Sequence, residues 1–257
     1  MTHWLRFTAD DRIGFGTLEG GTIHVHDGDM FATAAPTGER LALSSVQLLS
    51  PCTPAKIICL WNNFHALAAK LQVPEPTEPL YLLKAPSACL ATGEPIRRPA
   101  RYDGRIVFEG ELGIVIGKRC SQCSEEHAAD YIFGFTCIND ITAADLITKD
   151  PTFPQWTRAK SFDTFGAIGP VIATGLDPAT LTVRTLLNGT ERQNYPISDM
   201  IVPPARLVSL LSHDMTLLPG DIIACGTSIG AGAMKAPTNI VDVVIAGIGT
   251  LSNTLTQ

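Results

Sequence analysis

The sequence contains no apolar run long enough to cross a bilayer and no stripe of basic residues. Its longest apolar segment, residues 240–248, is interrupted by Asp242 and falls far short of the roughly 20 residues that a membrane-spanning helix needs. Acidic residues outnumber basic ones by 25 to 19, giving a net charge of −6, whereas a nucleic-acid surface requires clustered lysines and arginines. We therefore expect a protein that binds neither membranes nor nucleic acids.

The chain also lacks the features of a secreted protein. Its seven cysteines are odd in number, which fits reduced thiols in a cytosolic protein better than a disulfide framework. The first residues, MTHWLRFTADD, do not show the basic and then apolar pattern of a signal peptide. These observations predict a cytoplasmic location.

Many short apolar segments are separated by turn signals, and few segments have helical periodicity. Gly20-Gly21 and Asn188-Gly189 each lie between two strand-like segments and predict hairpins. The proline- and serine-rich residues 49–54 predict a boundary, which divides the chain into a small β-rich N-terminal segment, 1–52, and a larger domain, 53–257. The pattern of many strands and few short helices predicts a mainly β or α+β fold.

The stretch with the most chemical information is Arg105–Lys118, RIVFEGELGIVIGK. Side chains alternate along a strand, so a single strand here would carry Glu109 and Glu111 on the same face. Their neighbours Phe108 and Leu112 are apolar, which favours burial, and two buried carboxylates repel each other unless a cation lies between them. The alternative is that the pair belongs to the polar outer face of a half-exposed strand.

A third carboxylate follows at the end of the next apolar strand. Asp140 ends the segment YIFGFTCIND and would join Glu109 and Glu111 in a site of three carboxylates. Carboxylate oxygens and waters are the ligands that Mg²⁺ prefers. The three residues therefore predict a Mg²⁺ site, in which Mn²⁺ or Ca²⁺ would act as substitutes.

Together with QWTRAKSFDTFGAIGP at residues 155–170, these motifs resemble the fumarylacetoacetate hydrolase family, in the family's order and over most of the chain. The resemblance implies a mixed β-roll in which the two glutamates and the aspartate surround a divalent metal. It implies that Lys160 stabilises negative charge on an enolate, the electrostatic role of an oxyanion-hole donor. It also implies a homodimer that acts on a small oxo or dicarbonyl acid.

The same resemblance assigns substrate contacts to Asn63, Phe64, Lys84 and Thr227. Asn63-Phe64 matches an Asn-Tyr pair of the family, and Thr227 matches a threonine that contacts a substrate carboxylate. Lys84 matches a position that faces the active-site cavity, and its alternative is a solvated strand end.

The chain departs from the family where water is usually activated. The histidine and glutamate that follow the Asn-Tyr pair are Leu67 and Lys70 here, and neither performs that proton transfer at neutral pH. His65 is the candidate replacement base, although positions two apart on a helix point about 200° away from each other. The alternative for His65 is an ordinary, partly exposed histidine.

The predicted pocket also loses polar groups after Asp140. The family's arginine and a frequent glutamine are replaced by Ala144 and Ile147. The loop that follows, Thr148–Trp156, is rich in proline and aromatic residues and is predicted to be a mobile cover over the site.

Two further motifs carry no predicted function. Residues 226–230, GTSIG, fit the G-x-S-x-G nucleophile pattern, but the triad histidine must follow the serine and the last histidine of the chain is His213. Cys120 and Cys123 form a CxxC without a thioredoxin-like setting or the second cysteine pair of a zinc site.

These observations predict a divalent-metal-dependent enzyme that cleaves a C–C bond, by hydrolysis or decarboxylation, in a 2-oxo or 1,3-dicarbonyl acid through a metal-chelated enolate. The loss of a base worth 10²–10⁴-fold in rate argues against efficient hydrolysis. Two alternatives stay open: an isomerase or hydratase of a ring-opened aromatic catabolite, and a family member that binds a metabolite without turnover.

Overall fold

The computed structural model of the protein describes residues 1–256, which form many strands and four short α-helices. This composition confirms the predicted mainly β or α+β fold. The strands are β1 (Thr2–Ala9), β2 (Arg12–Glu19), β3 (Thr22–Asp27), β4 (Ala35–Ala42), β5 (Gln47–Leu49), β6 (Ile57–Trp61), β7 (Leu80–Lys84), β8 (Cys89–Leu90), β9 (Pro95–Ile96), β10 (Ile106–Phe108), β11 (Gly110–Ile116), β12 (Ile132–Asp140), β13 (Thr142–Ala143), β14 (Gly166–Thr174), β15 (Thr182–Leu187), β16 (Thr190–Pro196), β17 (Ile222–Ala224), β18 (Gly232–Ala233), β19 (Thr238–Ile245) and β20 (Gly249–Thr256). The helices are α1 (His65–Leu71), α2 (Glu125–Ala128), α3 (Trp156–Lys160) and α4 (Pro204–Asp214).

The strands form one large sheet and two smaller ones. The large sheet has the order β4-β3-β2-β1-β14-β12-β11-β17-β6-β7, with β5 paired to β1 and β8 paired to β14. The smaller sheets have the orders β13-β10-β18 and β16-β15-β19-β20-β9. The second of these contacts β11, β12 and β14, so the middle of the large sheet is covered by another sheet.

Alternation along β11 divides its side chains between two cores. Leu112, Ile114 and Ile116 belong to the main core, whereas Val115 belongs to a second, smaller core with Ile138 of β12. Glu111 has the same parity as Val115 and therefore lies on the face of the smaller core. Side-chain alternation therefore places the Glu111 carboxylate in the interior, at the start of β11 and just before its apolar residues.

The central stretch is interrupted at Glu109, which corrects the prediction of one continuous strand. β10 ends at Phe108 and joins a three-stranded sheet, whereas β11 begins at Gly110 and joins the large sheet. The Glu109 N–H donates to Asn139 Oδ1 (3.1 Å), a side-chain acceptor that takes the place of a ladder partner. The chain therefore changes sheets at the first of the two glutamates.

The two predicted hairpins are confirmed. β2 and β3 flank Gly20-Gly21, and β15 and β16 flank Asn188-Gly189. Asn188 and Gly189 both have positive φ, 52° and 75°, as a type I′ turn requires at its two central residues.

The first five strands lie within the large sheet. β1 pairs with β2 on one side and with β14 and then β5 on the other, so the predicted N-terminal segment is continuous with the sheet that carries Asp140. The predicted boundary after residue 52 falls in the irregular residues between β5 and β6. Across residues 1–256 there is no helix whose length and apolar content would let it cross a membrane.

Substitution of the N-terminal core should destabilise the whole sheet. Leu5 on β1 is completely buried, whereas Ile13 on β2 is 69% exposed. We expect Leu5→Ala to lower the free energy of unfolding by about 2–5 kcal/mol and the control Ile13→Ala to lower it by about 0.5 kcal/mol or less, both measured by urea denaturation. A separate early transition in Leu5→Ala, with the remainder unfolding as in the wild type, would show that the first strands are an independent unit.

Candidate metal centre

Strand pairing brings three carboxylates together at the start of β11. In the β11–β12 register Gly110 is opposite Asn139, and the Asp140 N–H continues this pairing by donating to the Glu109 carbonyl (2.8 Å). One carboxylate oxygen from each of Glu109, Glu111 and Asp140 lies within 4.8 Å of the others. The predicted triad is therefore assembled in space, although its residues come from two strands and the junction between two sheets.

Gly110 fixes the directions in which the Glu109 and Glu111 side chains project from the backbone. Its N–H donates to Gln193 Oε1 (3.0 Å), and its carbonyl accepts from the Tyr195 hydroxyl (2.6 Å). A Cβ at this position would lie 2.0 Å from Thr185 Oγ1, so only glycine fits. The backbone between Glu109 and Glu111 is therefore held by residues of β15 and β16, more than seventy positions later in the sequence.

Lys160, at the end of α3, lies against two of the three carboxylates. Its ammonium donates to Glu109 Oε2 (2.7 Å), Asp140 Oδ2 (2.6 Å) and Thr142 Oγ1 (2.8 Å). An ammonium has three N–H donors, so all of them are occupied. Burial lowers the pKa of Lys160, but the negative charges of Asp140 and Glu109 outweigh this effect and raise it overall. Lys160 is therefore held as a cation.

Lys84 lies behind Asp140 and is sequestered from the site. Its ammonium is 2.7 Å from Asp140 Oδ1 and donates to the carbonyls of Lys160 and Phe165 (both 2.6 Å). The residue is 2% exposed. This burial does not fit the alternative of a solvated strand end, and Lys84 is not among the residues that line the cavity beside the carboxylates. Its place indicates a structural cation that holds Asp140 and the backbone after α3.

The cluster carries more negative than positive charge. Three carboxylates face two ammonium groups. Neither ammonium forms an ion pair with Glu111 among residues 1–256, and Glu111 Oε2 accepts a hydrogen bond from the Gly226 N–H (2.9 Å). Burial, and next the charge of Asp140, raises the pKa of Glu111 well above its usual value. Burial alone would also raise the pKa of Asp140, but Lys160 and Lys84 hold it below its usual value.

This arrangement fits a hard divalent cation. The donors are carboxylate oxygens that converge within reach of one ion, and oxygen is the ligand type of Mg²⁺, Mn²⁺ and Ca²⁺. With all three carboxylates ionised, a dication would compensate the excess negative charge. Without a cation, the raised pKa of Glu111 favours its neutral form, which avoids the cost of an unpaired buried charge. Glu109, Glu111 and Asp140 are the residues that would hold the dication.

A cavity of about 340 Å³ opens beside the carboxylates. Its polar side includes Glu109, Thr142, Lys160 and Thr227, and most of its remaining wall is apolar. The lining residues are Leu60, Trp61, Asn62, Leu67, Lys70, Leu71, Leu82, Val107, Glu109, Thr142, Ala144, Ile147, Trp156, Lys160, Thr227, Ser228, Ile229, Gly230 and Ala231.

Of the predicted substrate contacts, Thr227 lines this cavity but Asn63 and Phe64 do not. The Asn63 side chain donates to the carbonyls of Val202 and Cys225 (3.2 and 3.1 Å) and accepts from the Val202 N–H (2.9 Å). Phe64 is completely buried in the main core. Both side chains therefore hold the start of α1, and the structure gives no support to the prediction that they contact substrate.

His65 does not lie at the cavity. Its side chain is 49% exposed, and its Nδ1 is 2.6 Å from Glu75 Oε1 in the segment after α1. It is the first residue of α1, whereas the cavity is lined by Leu67, Lys70 and Leu71 of the same helix. The geometry gives no support to the predicted role of His65 as a base, because the helix directs it away from the carboxylates.

All four departures from the family pattern lie on the cavity wall: Leu67, Lys70, Ala144 and Ile147. No histidine is found among the described residues that line it. Ser228 of the GTSIG motif is on the wall too, but residues 225–231 form a loop that leads into a short strand. The helix that a nucleophile elbow requires does not follow.

Several residues of the site were not predicted. Thr142 lies two positions after Asp140 and bonds Lys160, a relation that strand alternation could have indicated. Trp61 and Trp156 pack together with ring centroids 6.0 Å apart and form part of the wall. Their contact joins the end of β6 to the start of α3, and no local pattern signals it.

Removal of the buried Lys84 ammonium should lower the stability of the fold. We expect Lys84→Met, measured without metal by urea denaturation, to lower the free energy of unfolding by about 3–5 kcal/mol, because it leaves a buried aspartate with one partner fewer. The exposed Lys118 provides the control, since Lys118→Met should change stability by about 0.5 kcal/mol or less. Equal stability of the two variants would contradict a structural role for Lys84.

Comparison with known proteins agrees with this geometry. Residues 56–256 match the Fumarylacetoacetate (FAA) hydrolase C-terminal family, and residues 2–51 match the Rv2993c-like, N-terminal family. An oxaloacetate tautomerase of Bacillus subtilis is 37% identical over 225 residues, covering 82% of this chain and 74% of the relative.

Solved structures have the same fold over the full chain. The 2-hydroxyhepta-2,4-diene-1,7-dioate isomerase of Mycobacterium marinum matches with a TM-score of 0.90 at 37% identity, covering 100% of this chain and 98% of the other. A fumarylacetoacetate hydrolase of the psychrophile Exiguobacterium antarcticum matches with a TM-score of 0.86 at 31% identity, covering 100% and 99%. From its sequence match, its fold and its carboxylate cluster, this chain is a member of the fumarylacetoacetate hydrolase family.

Proposed function

We propose that the protein is a Mg²⁺-dependent enzyme that cleaves a C–C bond in a 2-oxo or 1,3-dicarbonyl acid, by decarboxylation rather than hydrolysis. The observation that carries this proposal is the carboxylate cluster of Glu109, Glu111 and Asp140, which exceeds its lysine partners in charge and adjoins a cavity. A divalent cation held there would act as a Lewis acid toward two oxygens of the substrate and stabilise developing enolate charge.

Lys160 contributes positive charge to the same wall. Its three N–H donors are occupied by Glu109, Asp140 and Thr142, so it orients these groups and supports negative charge through its field. Thr227 is held by accepting from Gln193 Nε2 (2.8 Å) and donating to the Gly110 carbonyl (3.1 Å). These fixed groups are prepared before a substrate binds, which is the arrangement that stabilises charge most effectively.

The cavity wall supports decarboxylation over hydrolysis. Hydrolysis requires water activated by a base, and the positions where the family carries its histidine and glutamate are Leu67 and Lys70, both on the wall. Loss of CO₂ from the carbon next to the oxo group breaks a C–C bond and leaves an enolate, which needs charge stabilisation but no water-activating base. The apolar wall from Ala144 and Ile147 also disfavours a positioned water.

Isomerisation or tautomerisation is the second candidate. It is supported by the names of two similar proteins, an oxaloacetate tautomerase and a 2-hydroxyhepta-2,4-diene-1,7-dioate isomerase. Both reactions pass through an enol or enolate, so they need the same charge stabilisation. They differ from decarboxylation in conserving all carbon atoms.

We also propose that the protein acts in the cytoplasm as a homodimer. All seven cysteines are free, which suits a reducing compartment. The edge strand β7 exposes three large apolar side chains, Leu80, Tyr81 and Leu83, a surface that a second copy would cover. Light scattering should give twice the chain mass of 27.5 kDa; a mass of one chain would overturn this assembly.

Oxaloacetate distinguishes the reaction types. With Mg²⁺ or Mn²⁺, the wild type should accelerate pyruvate formation beyond metal in water, and enol absorbance reports tautomerisation separately. Glu109→Ala/Glu111→Ala should reduce either activity to the background of metal alone, and Lys160→Met should reduce it by about 10²–10³-fold.

His65→Ala provides a control, because its side chain lies outside the cavity and should leave the rate within about twofold. A loss of about 10²-fold or more in His65→Ala would restore the prediction that it is the base. Enol loss without pyruvate would favour tautomerisation. No metal-dependent turnover of oxaloacetate or of a panel of 2-oxo acids would leave a metabolite-binding protein as the better account.

A further inference from the structure

A lysine lies on the cavity wall where the family pattern has a glutamate. Lys70 belongs to α1 together with Leu67 and Leu71, and the spacing of three and four residues puts all three on one face of the helix. That face lines the cavity. Lys70 is exposed, so it lies at the outer end, and the buried Lys160 lies at the inner end.

Lys70 differs from the other charged residues of the wall in its partners. The ionisable side chains among the described lining residues are Lys70, Glu109 and Lys160. Lys160 is engaged by Glu109 and Asp140. Within residues 1–256, Lys70 has no carboxylate within ion-pair distance, so its charge is available to a ligand.

The wall between the two ends is apolar. Trp61, Leu82, Ile147 and Trp156 contribute to it, and these side chains offer carbon surface to a ligand's chain. The cavity therefore has a polar inner end, an apolar middle and a positive outer end. A ligand with acidic groups at both ends and carbon between them matches this sequence of surfaces.

We propose that Lys70 is a specificity-determining residue that binds the distal carboxylate of the substrate, which makes the substrate a dicarboxylic 2-oxo acid. This inference rests on the proposed function, because it assumes that the 2-oxo carboxylate end is held at the carboxylate cluster. The volume of about 340 Å³ equals about eleven water volumes of roughly 30 Å³. A 2-oxo diacid of about five carbons that also carries, on the carbon next to its oxo group, the carboxylate lost as CO₂ has a similar number of non-hydrogen atoms. The distal carboxylate at Lys70 then stays in the product.

The contribution of Lys70 should be moderate. It lies at an exposed end, where ion pairs are screened by water and salt, but the apolar wall limits hydration of the bound chain. We expect a preference of about three- to tenfold for a diacid over the matching monoacid, decreasing as salt is added. Arginine at this position should keep the preference, because it keeps the charge.

The test compares two ligands that differ only at the distal end. The full-length protein with Mn²⁺ is titrated with 2-oxoadipate, 2-oxohexanoate and oxalate, and binding is followed by calorimetry. The variants are Lys70→Met and Lys70→Arg, with the exposed Lys118→Met as the matched control for loss of a surface lysine. Oxalate has no distal group that reaches Lys70 and reports on the inner end alone.

We expect the wild type, Lys70→Arg and Lys118→Met to prefer 2-oxoadipate, and Lys70→Met to lose that preference while it binds oxalate as the wild type does. Equal binding of the two oxo acids by the wild type, or an unchanged preference in Lys70→Met, with oxalate bound normally, would overturn the role of Lys70 and leave the proposed function intact. Failure of the Mn²⁺ protein to bind oxalate would overturn both.

Discussion

The structure depends on an imbalance between carboxylates and lysines where β11 begins and β12 ends. Three carboxylates converge, and two buried lysines neutralise only part of their charge. Lys84 is fixed by backbone carbonyls and cannot leave, whereas Glu111 has a single N–H partner. Because unpaired buried charge destabilises a fold, the cluster is best explained as a site completed by a dication.

The inner end of the cavity and its outer wall have different chemical character. The inner end, with Lys160 and Thr142 fixed against the carboxylates, is suited to any reaction that develops negative charge on a chelating acid. In the proposed function, the apolar wall and α1 would decide which acid enters and whether water is activated there. Leu67, Lys70, Ala144 and Ile147 all lie in this second part, so the chain keeps the charge-stabilising end of its family and changes the rest.

Much of the metal centre could be predicted because its signals are local. Strand alternation indicated burial of Glu111, the strand end indicated Asp140, and the Asn188-Gly189 turn indicated its hairpin. The break at Glu109 could not be predicted, because it depends on Asn139 and on Gln193 from a distant strand. Motif matching also assigned Asn63 and Lys84 to substrate, although nonlocal hydrogen bonds had already engaged both side chains. The pairing of β1 with β14 was likewise beyond a reading of local patterns.

We propose that Glu109, Glu111 and Asp140 bind a divalent cation that creates an acid-binding site. Calorimetric titration of Mn²⁺, followed by oxalate, into the wild type and Glu111→Gln tests it most directly. The wild type should bind Mn²⁺ and then oxalate, and it should not bind oxalate without metal. Glu111→Gln should bind Mn²⁺ at least about tenfold more weakly. Absence of Mn²⁺ binding by the wild type, or equal Mn²⁺ binding by the two proteins, would contradict it.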